Sequence, residues 1–294
     1  MAFLKLTFDL GSLDADRAEA ACFAAGALAV TFSDARDDAV LEPAPGEVRL
    51  WPATRIEGLF RGELDARAIA CALSSELGLE PAALRTQILA DRIWEREWLA
   101  HFHAMRFGRR LWIAPHHERL ETEGAVVRLD PGLAFGTGTH PTTALCLTWL
   151  DAHLEPGSRV LDYGCGSGIL ALAAAKLGAV SVECFDIDPQ ACIATRENAE
   201  RNGIADRIRV VADEDELTAG VDVLLANILS GTLCTLARRF ADLVRAGGQL
   251  VLAGLLDGEV AEVTHAHRAW FDMRRFGERD GWVGLAGVRS ARAD

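Results

Sequence analysis

Leu4, Leu6, Phe8 and Leu10 alternate with Lys5, Thr7 and Asp9, the two-residue period of a half-buried strand. Asp14 or Asp16 can cap a helix that runs through an alanine-rich stretch to Ala25. Leu28–Phe32 reads as a second strand, and Glu47–Trp51 and Arg55–Phe60 as two more, split by a Pro-Ala-Thr turn. Asp65–Leu77 has helical periodicity and Leu84–Leu89 is extended. Strand, helix, strands, helix and strand in sequence predict a small ferredoxin-like α+β domain over residues 1–90. Such a fold alone specifies no function.

Trp94, Trp98 and Phe102 recur at spacing four within DRIWEREWLAHFH, so they share one helical stripe. A connecting helix packed on a domain explains them better than direct substrate contact, and residues 91–106 are read as a helical linker. From Leu111 onward apolar strands alternate with helical stretches. The strands are Arg159–Asp162, Ser181–Asp186, Ile208–Val211, Val221–Ala226 and Gln249–Ala253. Gly164–Leu177, Pro189–Asn202 and Leu229–Val244 are the helices between them. This order predicts an α/β domain over residues 107–294, with a doubly wound, mostly parallel sheet of Rossmann-like type. Trp270–Arg275 and Gly281–Val288 are candidates for antiparallel edge strands.

A chain of 294 residues accommodates two such domains. The net charge of −13 argues against a general nucleic-acid surface, which needs clustered Lys and Arg to displace counterions. Acidity can steer basic partners, although ordinary solubility explains it equally well. No stretch approaches the roughly 18 apolar residues of a membrane span, and Lys5 and Asp9 interrupt any signal-peptide pattern. The seven cysteines are scattered without a C-x-x-C pair, which suits small buried thiols in a reducing compartment and disfavours zinc. No metal is expected, and the cytoplasm is the expected location.

The chemistry concentrates at Val160-Leu161-Asp162-Tyr163-Gly164-Cys165-Gly166-Ser167-Gly168, a buried strand running into a glycine turn. In an open α/β sheet a ligand lies beyond the carboxyl ends of the strands, where this turn falls. Its G-x-G-x-G spacing is not the G-x-G-x-x-G of a dinucleotide site. Asp162, opening the turn, is poor company for a pyrophosphate and suits a ligand with a cationic amino group. S-adenosylmethionine carries one. Gly164 and Gly166 let a ligand approach the backbone.

Asp186 ends the next strand 22 residues after Gly164, close to the roughly 20 expected of an acid that binds ribose hydroxyls. Asp188 is assigned to capping the helix that Pro189 opens. Asn227, at the tip of the fourth strand, can hold a substrate amine, the cofactor or both; it also suits a plain turn. The run Asp130–Thr143 leads into a helix at Pro141 and presents Phe135 and His140 beside the cleft. Phe135 suits stacking on adenine or shielding a methyl group. His140 is a base, a cap or a loop anchor, with a structural role favoured.

That run, DPGLAFGTGTHPTT, taken with LDYGCGSGIL, CFDIDP and LLANIL, resembles the ribosomal protein L-eleven methyltransferase family (PrmA) of class I S-adenosylmethionine-dependent methyltransferases. WEREW, MRFG-x-RLWIAP and the tail around Trp282 extend the resemblance nearly end to end. The first run is specific, whereas the glycine turn is shared by most class I methyltransferases. The resemblance implies methylation of lysine side chains and of the N-terminal α-amine of a large-subunit ribosomal protein. It implies that the N-terminal domain grips that substrate and moves on the linker. It makes Thr143, Gly164, Asp186 and Asn227 cofactor contacts, with Asn227 the catalytic candidate. Cys184-Phe185 departs from the more usual small residue and aliphatic before the acid, which alters the wall near the ribose. A monomer with no direct contact to nucleic acid or membrane is expected.

Two rival readings remain. The nearer is an N-methyltransferase of another protein, a small-molecule amine or a nucleic acid; adenine and glutamine N-methylating enzymes resemble one another in an N-P-P-[YF] tip with an aromatic that stacks on the target, whereas Asn227-Ile228-Leu229-Ser230 has no aromatic. A non-catalytic adaptor would not need an intact glycine turn with Asp186.

Overall fold

A computed structural model describes residues 3–36, 50–89, 103–129 and 138–291. The chain divides into two compact units, Met1–Trp94 and Glu95–Asp294.

In the first unit the elements run β1 (Phe3–Asp9), α1 (Ala15–Ala24), β2 (Ala29–Asp34), β3 (Thr54–Arg61), α2 (Ala66–Leu77) and β4 (Arg85–Leu89). They build an antiparallel sheet in the order β2-β3-β1-β4, the ferredoxin-like arrangement. The alternation at the start of β1 sets the core: Leu4, Leu6 and Phe8 point inward. They pack with Ile56 and Phe60 of β3, Cys22 of α1 and Leu73 of α2. Asp14 caps α1 through the Arg17 N–H at 2.9 Å, and Asp65 caps α2 through the Arg67 N–H at 2.9 Å. Of the expected strand Glu47–Trp51, residues 47–49 lie outside the described residues, and Leu50 and Trp51 belong to no strand.

The second unit opens with β5 (Met105–Phe107), β6 (Leu111–Ala114) and β7 (Ala125–Arg128), a three-stranded sheet. The expected helix over residues 91–106 lies mostly outside the described residues, but Met105 and Arg106 are extended. Phe107 is buried opposite Leu111, and the turn between them is fixed by Asp151, whose carboxylate accepts the Arg109 and Arg110 N–H groups at 2.6 and 2.8 Å. These tertiary contacts override the helical pattern.

The larger sheet contains β8 (Arg159–Tyr163), β9 (Ser181–Phe185), β10 (Ile208–Val211), β11 (Val221–Asn227), β12 (Val244–Leu256), β13 (Phe271–Arg279) and β14 (Trp282–Arg289). Its order is β10-β9-β8-β11-β12-β14-β13. The first five are mutually parallel, and β14 and β13 are the antiparallel edge expected from sequence. Helices α3 (Pro141–His153), α4 (Ile169–Lys176), α5 (Pro189–Arg201), α6 (Ser230–Thr235), α7 (Ala237–Leu243) and α8 (Val260–His267) pack on it. Successive residues of one strand feed different cores. Val160 joins the cluster with Leu147 and Leu172, whereas Leu161 joins the one with Phe240 and Val263. The chain order reverses between β8 and β11, which opens a crevice beyond their carboxyl ends.

Two expected helices and the burial of two cysteines change. The helix expected from Gly164 starts at Ile169, because residues 164–168 form the turn. The helix expected over Leu229–Val244 is two, α6 and α7, and Val244 already belongs to β12. Cys71 is exposed and Cys234 half-buried, so only the other five cysteines are the buried thiols expected. Among the described residues, no helix is long and apolar enough to cross a membrane, and no group of three or more His, Cys, Asp or Glu could hold a metal.

His267 is fully buried at the end of α8, 6.3 Å from the Phe240 ring and 6.2 Å from Phe271. Its Nδ1 lies 2.9 Å from the Val263 carbonyl, and among the described residues its Nε2 has no partner. Burial lowers its pKa, so the folded state holds it neutral. The unfolded chain takes up the proton below pH about 6.5, so stability contributed above that pH is lost as pH falls through the window beneath it. Thermal unfolding should show His267→Phe losing less stability than wild type between neutral pH and pH about 5. An identical acid loss in both proteins would refute this role.

Candidate active site

The crevice is built first from the glycine turn. Gly164 has φ +79°, a conformation that side-chain-bearing residues rarely adopt. A Cβ added there would overlap the Cγ2 methyl of Ile228. The Gly164 and Cys165 N–H groups donate to the Phe185 carbonyl at 2.8 and 3.1 Å, which ties the turn to the end of β9. Asp186 completes the tie. Its Oδ2 accepts the Gly166 N–H at 2.9 Å and its Oδ1 the Asp188 N–H at 2.9 Å. Each carboxylate oxygen retains acceptor capacity for a further donor. Asp188 accepts the Gln190 N–H at 2.8 Å and caps α5, the capping role expected of it.

Asp162, the acid that opens the turn, is buried. Its side chain lies beneath the turn, 1% exposed, with Oδ2 accepting the Ala171 N–H of α4 at 3.0 Å. Among the described residues, Oδ1 is buried without a partner. Burial pushes its pKa up to about 7, and the nearby Asp186 charge adds to the rise. A pKa near 7 poises the carboxyl between its neutral and anionic forms, and a cation lying over the turn favours the anion.

Across the crevice, Asn227 sits at the tip of β11, adjacent to β8 in the sheet. Its Nδ2 donates to the hydroxyl of Thr143 at 3.3 Å, and Thr143 is buried in the first turn of α3. That bond orients the amide, and its carbonyl oxygen can accept an incoming N–H. His140 is the N-cap of α3. Its Nδ1 lies 2.7 Å from the Thr142 hydroxyl, and its ring meets Trp282 edge to face at 5.1 Å. Partial burial lowers its pKa. Of the roles open in the sequence, this geometry is that of a cap. Phe135 and residues 130–137 lie outside the described residues, as do Trp94, Trp98 and Phe102.

Sequence reasoning missed a polar stripe on α5. Thr195 Oγ1 donates to the Gly166 carbonyl at 3.0 Å and Asn198 Nδ2 to the Ser167 carbonyl at 2.9 Å. Asn202, just past the helix end, accepts the Arg128 N–H and donates to the Arg128 carbonyl, both at 2.7 Å. The stripe therefore ties the glycine turn to the end of β7. Its steps of three and four residues were visible as one helical face. Ile187 was also missed; it stands 90% exposed directly after Asp186, an apolar side chain at the crevice mouth.

The remaining acceptor capacity of Asp186 suits a diol, and the orphaned oxygen of Asp162 suits a cationic head beyond the turn. S-adenosylmethionine offers both on one molecule, so the residues present fit it. A parallel sheet with a reversed final strand and this pocket at its switch point belong to a class I S-adenosylmethionine-dependent methyltransferase. The particular family follows from comparison. The model of the family described as "Ribosomal protein L11 methyltransferase (PrmA)" matches residues 2–290, and the chain belongs to that family. It is 46% identical to the ribosomal protein L11 methyltransferase of Alkalilimnicola ehrlichii, over 98% of this chain and 99% of that protein. It is 51% identical to the protein of the same name from Methylococcus capsulatus, over 90% of this chain and 92% of that one. The crystal structure of a ribosomal protein L11 methylase from Lactobacillus delbrueckii subsp. bulgaricus is 32% identical, with a TM-score of 0.59. It covers 64% of this chain and all (100%) of that one.

Proposed function

We propose that this chain methylates amino groups of ribosomal protein L11, on lysine side chains and the N-terminal α-amine. The names of its relatives support the substrate, and the carbonyl oxygen of Asn227 supports the chemistry. That oxygen is the observation on which the reading rests: an acceptor at a strand tip beside the glycine turn, its amide held by Thr143.

When bound, S-adenosylmethionine supplies an electrophilic methyl group on a sulfonium. Gly164 and Gly166 let it lie against the turn, Asp186 accepts its ribose hydroxyls, and Thr143 lines the pocket. Asp162 favours the ammonium of its amino-acid end through charge beneath the turn. Ile187 offers an apolar face to its base. The nucleophile must be a neutral amine. A lysine of pKa about 10.4 is neutral in only about one molecule in two thousand at neutral pH. Desolvation in the crevice lowers that pKa. Asn227 then orients the amine by accepting one N–H, which aims the lone pair, and the proton leaves to water. No dedicated base is needed when alignment supplies most of the acceleration. The N-terminal unit is assigned to gripping the substrate, with residues 91–106 as the linker on which it moves. The enzyme is proposed to act as a cytoplasmic monomer, without direct contact to nucleic acid.

Mass spectrometry of large-subunit proteins tests the reading. Cells lacking the chain should yield L11 without methyl groups on its amines, and restoring the gene should restore them. Unchanged L11 with a methyl deficit on another protein would overturn the substrate assignment.

A further inference from the structure

The tip of β11 does not end at Asn227. It continues through Ile228 and Leu229 into Ser230, the first residue of α6. We propose that Glu259, far downstream, is a positioning residue that sets the height of Asn227 against the glycine turn. This rests on the reading of Asn227 given above.

Glu259 precedes α8, and its carboxylate bridges two segments. Oε1 accepts the Ser230 hydroxyl at 2.6 Å, and Oε2 accepts the Leu256 N–H at 2.7 Å. The start of α6 is thereby clamped to the end of β12. The clamp matters because α6 is short and poorly capped. Leu229 occupies its N-cap position without a side-chain bond and stands 54% exposed. Neither burial nor a cap holds the tip at that point.

Upstream, Ile228 is held on two sides. A Cβ on Gly254 of β12 would overlap its backbone carbonyl, and a Cβ on Gly164 would overlap its Cγ2 methyl. Gly254 has φ +88°, so glycine meets both the conformation and the close approach. Ile228 is thus wedged between the glycine turn and β12 and cannot sink toward either. What remains open is movement away from them, and the bond from Ser230 to Glu259 opposes it. Glu259 has no bond to Asn227 itself, so its effect travels through Ser230 and Ile228.

Steady-state kinetics on full-length protein, with ribosomal protein L11 as acceptor, tests this. A misplacement of about 1 Å can cost about a hundredfold in rate. Glu259→Ala is expected to lower kcat by about tenfold or more, since the tip shifts without losing its chemistry. Affinity for S-adenosylhomocysteine by calorimetry should stay within about twofold, because the clamp leaves the turn and Asp186 intact. Glu259→Gln should recover most of the rate: its amide oxygen can accept from Leu256 and its NH2 can donate to the Ser230 oxygen. Ser230→Ala should match Glu259→Ala, and the double variant should be no slower than either. The proposal is overturned if Glu259→Ala keeps full kcat, if the glutamine variant is as slow as alanine, or if cofactor affinity falls in step with kcat. Asn227→Ala separates the two failures. If it is slow while Glu259→Ala is fast, only the clamp is wrong; if it is fast too, the reading of Asn227 has itself failed.

Discussion

Asn227→Ala is expected to lower kcat for transfer to L11 by about a hundredfold, with cofactor affinity changed far less. The side chain does two things that alanine cannot. Its Nδ2 bonds Thr143 at the first turn of α3, which fixes the amide plane, and its carbonyl oxygen is left to receive an N–H. A reacting amine without that acceptor keeps its binding energy elsewhere but loses the aim of its lone pair. Such a defect belongs to the transition state and falls on kcat. His140→Ala should cost much less, because His140 caps α3 and packs on Trp282. Its loss loosens a helix start, typically by about 1 kcal/mol. Single-turnover rates for both variants make the comparison, and equal losses would remove the division of roles.

Asp186→Ala should act on the other half of the reaction and weaken cofactor binding at least about a hundredfold. The carboxylate already accepts the Gly166 and Asp188 N–H groups, so removing it frees the glycine turn as well as deleting the acceptors for a ribose diol. Hydrogen bonds to a charged group contribute about 1.5–3 kcal/mol each, so two lost to the ligand suffice for that factor. Asp186→Asn should fall between, since one acceptor oxygen remains. Calorimetric titration with S-adenosylhomocysteine reads the effect directly, and wild-type affinity in the alanine variant would dismiss the ribose role.

Most of this pocket was legible because its parts are local in sequence. The strand that carries Asp162, the glycine turn and the helix after it are contiguous, and the next strand ends just before Asp186 and brings it beside them. Asn227 was legible for the same reason, as a polar residue where an apolar run stops. What depended on tertiary direction was harder. Asp162 shares a strand face with Val160, which feeds the core around α3 and α4, so two-residue alternation alone points its side chain inward. The break at Leu236, which divides Leu229–Val244 into two helices, has no glycine or proline beside it to announce it. Met105–Phe107 is too short a strand for periodicity to separate from the helical pattern of the preceding sequence. The bonds from α5 to the turn, and from Glu259 to Ser230, join segments about 30 residues apart, where a single sequence gives no pairing signal.

The pocket itself is the claim that all of these roles share. A crystal structure with bound S-adenosylhomocysteine addresses it most directly. The expected result is a nucleoside over the Gly164–Gly166 turn, with both ribose hydroxyls on Asp186 and the sulfur facing Asn227. A nucleoside bound elsewhere on the sheet, leaving Asp186 with only its two backbone partners, would contradict the account.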